Sequence, residues 1–164
     1  MRFLRFALAL AVAAPAVAWP QSVPTSATAE RKAILQAMEA NVTRISPSME
    51  RDRWSANVSL WKVRLDHAGK LQPSDLKRMQ ASLDTITRVV AQIRSVDERE
   101  RWKANQALWS TLVSSAGTPQ AAAMVEMMAA LKAMEANVMG ITANGEWERW
   151  QANFQLWKST IDSK

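Results

Sequence analysis

The chain has 164 residues, 48% of them apolar, a length and composition that suit one ordinary globular domain and exclude a disordered chain. It has no cysteine, which excludes disulfides, a thiolate nucleophile and cysteine-ligated metals. A formal charge of +6 spread without a long basic run argues against a nucleic-acid partner and supports only weak contact with anionic polymers or lipids.

The first residues read as a targeting segment. Met1-Arg2-Phe3-Leu4-Arg5 is a basic n-region, residues 6–17 are a short apolar run, and Ala16-Val17-Ala18 is an A-x-A cleavage site, so 1–18 is expected to be a secretory signal peptide. The run is shorter than the roughly 20 apolar residues a membrane anchor needs. Its alanine-rich character is bacterial in style, and the mature protein, beginning at Trp19, is expected in the periplasm or outside the cell. Without Arg2 and Arg5 it carries a net charge of +4. Residues 19–25, with Pro20 and Pro24, are expected to form a flexible leader.

From Ser26 the chain reads as helices, because Ala, Leu, Met, Gln, Lys and Glu abound while glycine and proline are few. The first carries Ile34/Leu35, Met38, Val42 and Ile45 at amphipathic spacing and stops at Ser46-Pro47-Ser48. A second is expected over about 49–66, ended by His67-Ala68-Gly69-Lys70. Pro73-Ser74-Asp75 opens a third, with Ser74 as the expected N-cap and a stripe of Leu76, Met79, Leu83, Ile86, Val90 and Ile93. Ser95-Val96-Asp97 turns the chain, with Asp97 and Glu100 at capping-box spacing, into a fourth helix reaching about Ser114. Gly117-Thr118-Pro119 stops it and restarts a fifth, with Met124, Met127/Met128, Leu131, Met134, Val138 and Ile141 as its stripe; Asn144-Gly145 is the expected turn into a sixth.

These helices come in pairs governed by one repeated pattern. R-W-x-A-N-x-x-L-W occurs at 53–61, 101–109 and 149–157, each copy 48 residues from the next. Ala33/Ala81/Ala129, Leu35/Leu83/Leu131, Val42/Val90/Val138, Ile45/Ile93/Ile141 and Glu50/Glu98/Glu146 keep the same register. A fixed period of this length is the mark of stacked repeats. The expected fold is all-α: three tandem 48-residue helical hairpins, at about 26–67, 74–115 and 118–163, giving six antiparallel helices of roughly 18–22 residues as a bundle or a short solenoid.

The repeated face supplies the candidate site. Glu50, Arg53, Trp54, Asn57, Leu60 and Trp61 fall within an arc of roughly 120° on one helix. The packing reading, which we prefer, lays the indoles on the Leu35-Met38-Val42-Ile45 stripe, buries Asn57 to fix register and pairs Arg53 with Glu50. It predicts Asn57, Asn105 and Asn153 to be buried and hydrogen-bonded. The alternative is a ligand groove lined by Arg53, Trp54, Asn57, Trp61, Arg101, Trp102, Asn105, Trp109, Arg149, Trp150, Asn153 and Trp157, a set suited to sugars and other amphipathic polar ligands.

Other features yield less. Met124, Met127, Met128, Met134 and Met139 offer soft thioether ligands for Cu(I), although most fall on the core stripe, where methionine is ordinary filler. His67, the single histidine, reads as a helix-end residue. The strips Ala33/Ala37/Ala40 and Ala129/Ala133/Ala136 are surface helix formers or, alternatively, faces for packing between hairpins or subunits. No nucleophile elbow, phosphate loop or metal-ligand constellation is present, so neither enzymatic activity nor a cofactor is expected.

An exported, cysteine-free, all-α, methionine-containing chain of this size resembles periplasmic stress chaperones of the Spy and CpxP type in gross plan, without their L-T-x-x-Q motif. That resemblance implies holdase chaperoning. The function expected from the residues is a non-enzymatic binding or scaffold protein of the bacterial cell envelope, engaging a protein, peptide or glycan through a repeat-built surface. Cu(I) handling and holdase activity are the alternatives.

Overall fold

A computed structural model describes residues 26–67 and 71–162 of the chain. The expected signal peptide, its cleavage point, the leader and the glycine stop at Gly69 lie outside the described residues. The chain is all-α. Its helices are α1 (Ser26–Val42), α2 (Met49–Asp66), α3 (Pro73–Val90), α4 (Val96–Ser114), α5 (Ala121–Val138) and α6 (Asn144–Asp162), each about 27 Å long.

The outer helices α1, α3 and α5 end earlier than their apolar stripes suggest. Ile45, Ile93 and Ile141, read as the last stripe positions, sit in the turns, where their N–H groups bond the carbonyls of Val42, Val90 and Val138 at 3.1 Å in all three copies. The stripe continues through the turn because an apolar side chain can reach the core from either side of a helix end.

Local signals explain most boundaries and correct several expectations. Ser48 caps α2, accepting from the Arg51 N–H. At α3 the cap is Gln72 and not Ser74, because Pro73 occupies N1, where a fixed φ and a missing N–H cost nothing; Asp75 then accepts from the Gln72 N–H at 3.1 Å. The Asp97/Glu100 box does not form at α4, since Ser95 takes the cap and accepts from the Glu98 N–H. The restart expected at Thr118-Pro119 comes later, with Gln120 as the N-cap of α5. Asn144 and Gly145, expected as a turn, form the first turn of α6.

The C-terminus of α4 is closed by a Schellman motif: Gly117 donates to the Leu112 carbonyl at 2.8 Å and Ala116 to that of Val113 at 3.0 Å. The left-handed residue there is Ala116, with φ 50°, and Gly117 follows at φ 83°.

Each helix packs on its chain neighbours, and α6 packs on α1. This last contact closes the chain on itself, so the architecture is a bundle and not an open solenoid. The inner helices α2, α4 and α6 surround a pseudo-threefold axis, and the outer helices cover them. Each inner helix lies more extensively against the outer helix of the next hairpin than against its own. The alanine of the repeated motif contributes to this, as Ala56 shares a groove with the small residues Ala81 and Ser82 of α3. Leu35, Met38 and Val42, then Met79, Leu83, Ile86 and Val90, then Met127, Met134 and Val138, face inward from the three outer helices.

Candidate functional site

The repeated motif forms the centre of the bundle. Trp54, Trp102 and Trp150 meet edge to face at centroid separations of 4.9, 4.9 and 5.0 Å. About two turns along, Trp61, Trp109 and Trp157 do the same at 4.6, 4.6 and 4.4 Å. Edge-to-face contact sets the positive rim of one indole against the negative face of the next, and three rings can satisfy that preference in a cycle. Indoles at equal heights also require the three inner helices to run parallel.

Between the two tryptophan layers lies a closed ring of amides. Asn57 Nδ2 donates to Asn153 Oδ1 at 3.0 Å, Asn153 to Asn105 at 3.1 Å, and Asn105 to Asn57 at 3.0 Å. Each Oδ1 accepts a second bond from an indole: Trp61 Nε1 to Asn153, Trp109 to Asn57 and Trp157 to Asn105, at 2.8, 2.8 and 2.9 Å. All three asparagines have no exposed surface. An amide suits this position because it both donates and accepts, so three copies can close a cycle without net charge.

One end of the axis is capped by charge. Arg53 pairs with Glu98, Arg101 with Glu146 at 2.6 Å, and Arg149 with Glu50 at 2.6 Å, each arginine reaching the following repeat. The guanidinium carbons lie over Trp102, Trp150 and Trp54 at 5.6, 5.8 and 5.5 Å. The arginine Nε atoms and Trp102 Nε1 have no hydrogen-bond partner among the described residues, and attraction of each cation to an indole face offsets part of that cost. Burial pulls the Arg149 guanidinium below its ordinary value, Glu50 and Glu146 push it back up, and neighbouring Arg53 pulls it down.

These contacts correct the expected packing in two respects. The indoles meet those of the other repeats on the axis and do not rest only on the stripe of their own hairpin. Arg53 bonds Glu98 across repeats, not Glu50 within its helix, because the axis brings position i of one copy beside i+45 of the next. All twelve residues weighed for a ligand groove lie in this interior: the six indoles and three amides are enclosed, and Arg53, Arg101 and Arg149 are buried.

The exterior differs between repeats. Within each hairpin an inner and an outer helix meet along a seam, and register makes the three seams comparable. In the first, Lys32 reaches Asp66 at 3.7 Å and Lys62 reaches Glu39 at 2.5 Å, and the remaining groove holds about 260 Å³. In the second, Gln106 bonds Thr87 at 2.8 Å. In the third, between α5 and α6, Asn153 Nδ2 donates to Met134 Sδ at 3.7 Å at the buried inner edge, no ion pair crosses the outer seam among the described residues, and the seam opens into a groove of about 830 Å³. Met124, Met128, Leu131, Phe154 and Ile161 form its apolar wall, with Lys132, Glu135, Lys158 and Asp162 at the rim.

Two substitutions between repeats open this seam. Met128 stands where the first repeat has Lys32, so the bridge that Lys32 makes to Asp66 has no equivalent at Asp162 among the described residues. Phe154 stands where the first two have Val58 and Gln106. Phe154, Lys158, Ile161 and Asp162 were missed by attention to what the repeats share; the signal lay in the positions where they differ.

Other candidates separate. Met127 and Met134 are buried, Met124 and Met128 line the groove, and Met139 is exposed at the other end of α5. Met128 was expected on the core stripe with Met127, but adjacent helical residues point about 100° apart and only Met127 turns inward. His67 is the C-cap of α2, its Nε2 3.5 Å from Asp75. The alanine strips Ala33/Ala37/Ala40 and Ala129/Ala133/Ala136 are exposed. Trp147, outside the repeated pattern, is 44% exposed. No family model, curated protein or solved structure matches the chain.

Proposed function

We propose that this is an exported, non-enzymatic binding or scaffold protein of the bacterial cell envelope that engages a protein or peptide partner through the open α5–α6 seam. The observation that carries this reading is the contrast among three equivalent seams. At their exposed edges the first is bridged by two ion pairs and the second by the Gln106–Thr87 bond, whereas the third, joined by Asn153 and Met134 at its buried edge, exposes a methionine- and phenylalanine-lined groove large enough for several side chains. Methionine adapts its shape to irregular apolar partners, which favours a peptide occupant. A glycan is less well served, because the repeated indoles that would stack on sugar rings are enclosed.

Methionine-methyl NMR tests the proposal during titration with a leucine–alanine helical peptide. Met124 and Met128 signals should shift while those of buried Met38 and Met79 stay in place. Met128→Lys should restore the first-repeat bridge, to Asp162, weaken binding about tenfold or more, and leave thermal stability unchanged or slightly raised. Equal binding by Met128→Lys would show that the seam is not the site. Stoichiometric shifts of both methyls with Cu(I), and none with peptide, would favour the metal reading.

A further inference from the structure

The first repeat contains a picture of a closed seam, and it indicates what the third lacks. Lys32 lays an aliphatic stem across the groove and brings its ammonium to Asp66, while Lys62 meets Glu39 from the facing helix. In the third repeat Lys158 and Glu135 occupy the positions of Lys62 and Glu39 and both line the groove, without forming the ion pair seen in the first. The position of Lys32 is taken by Met128, and Asp162 makes no ion pair among the described residues, although Arg31 lines the adjoining groove with it on the side away from α5. Lys132, one turn beyond Met128, replaces Gln36 and places a cation away from the Asp162 end of the groove.

Resting on the reading of this seam as the binding site, we infer that its occupant is a peptide segment carrying a basic residue among apolar ones, oriented with the basic side chain at Asp162. The apolar part lies on Met124, Met128, Leu131, Phe154 and Ile161, and the cation supplies what Lys32 supplies to Asp66. Glu135 reinforces a cationic occupant only where Lys158 does not neutralise it, so Asp162 is the discriminating group.

The test uses the whole chain and three leucine–alanine peptides of one length, whose central residue is lysine, glutamine or glutamate. The lysine peptide should bind about three- to fivefold more tightly than the glutamine peptide, the scale of an exposed ion pair, and the glutamate peptide most weakly. Asp162→Asn, an exposed change that leaves the core intact, should abolish the lysine preference while keeping the glutamine peptide's affinity. Equal affinities with Met124 and Met128 shifting would overturn the charge inference and leave the groove reading standing. No methyl shift with any peptide would overturn both. Shifts produced by raising protein concentration alone would make the occupant a second copy of this chain and overturn the peptide assignment.

Discussion

Asn105 accepts from the Trp157 indole and the Asn153 amide while donating to Asn57, so one side chain serves three partners in an enclosed layer. Replacing it with alanine removes the acceptor of the Trp157 indole N–H and of one Asn153 amide N–H, whose nitrogen keeps its weak bond to Met134 Sδ, and half-satisfies one acceptor. At about 1–3 kcal/mol for each buried group left unpaired, Asn105→Ala should cost roughly 2–6 kcal/mol. Lys103, on the same helix, makes an exposed pair with Glu100, and Lys103→Ala should change stability by less than about 0.5 kcal/mol. Thermal melts of the two variants check this: the first should fall by roughly 5–20 °C, the second should not move detectably. Burial of the asparagines was legible from their place between two tryptophans on an inward arc. Their partners were not, because a period of 48 shows which residues are equivalent and leaves open which equivalents touch. Only the closure of three parallel inner helices about an axis answers that.

Helix content and the order of six elements were legible because apolar spacing, serine and proline boundaries agree over every segment. Helix ends were less so. Two cap signals at adjacent positions compete, as Pro73 and Ser74 do, and the winner depends on which geometry the turn can adopt. The end of α4 shows the same limit: Gly117 marks the stop, yet Ala116 takes the left-handed conformation. A Cβ there costs roughly 1 kcal/mol. Ala116→Gly should therefore stabilise by about 0.5 kcal/mol after the added flexibility of the unfolded chain is counted. Chemical denaturation should show a higher midpoint with an unchanged slope, and a lower midpoint would mean that this backbone is not strained.

For the whole molecule, closure separates what the repeat holds in common from what it does. The shared residues face the axis, where two tryptophan layers, an amide ring and an alternating arginine–glutamate ring tie each hairpin to the other two. The differing residues face outward, and there the third hairpin presents its open groove. Sequence alone left bundle and solenoid equally open, since short turns produce antiparallel neighbours in both. What decides is the packing of α1 on α6, supported by Arg31, whose Nε bonds Ser159 Oγ at 3.0 Å across 128 residues of sequence.

Hydrogen exchange at the indole nitrogens tests this enclosed centre most directly. In protein labelled with ¹⁵N-tryptophan, the Nε1 protons of Trp61, Trp109 and Trp157 should exchange only with global unfolding, far more slowly than that of exposed Trp147. Asn105→Ala should release the Trp157 proton first. If the protons of Trp61, Trp109 and Trp157 exchange as fast as that of Trp147 in the folded protein, the repeated face is open to solvent and the closed threefold centre is wrong.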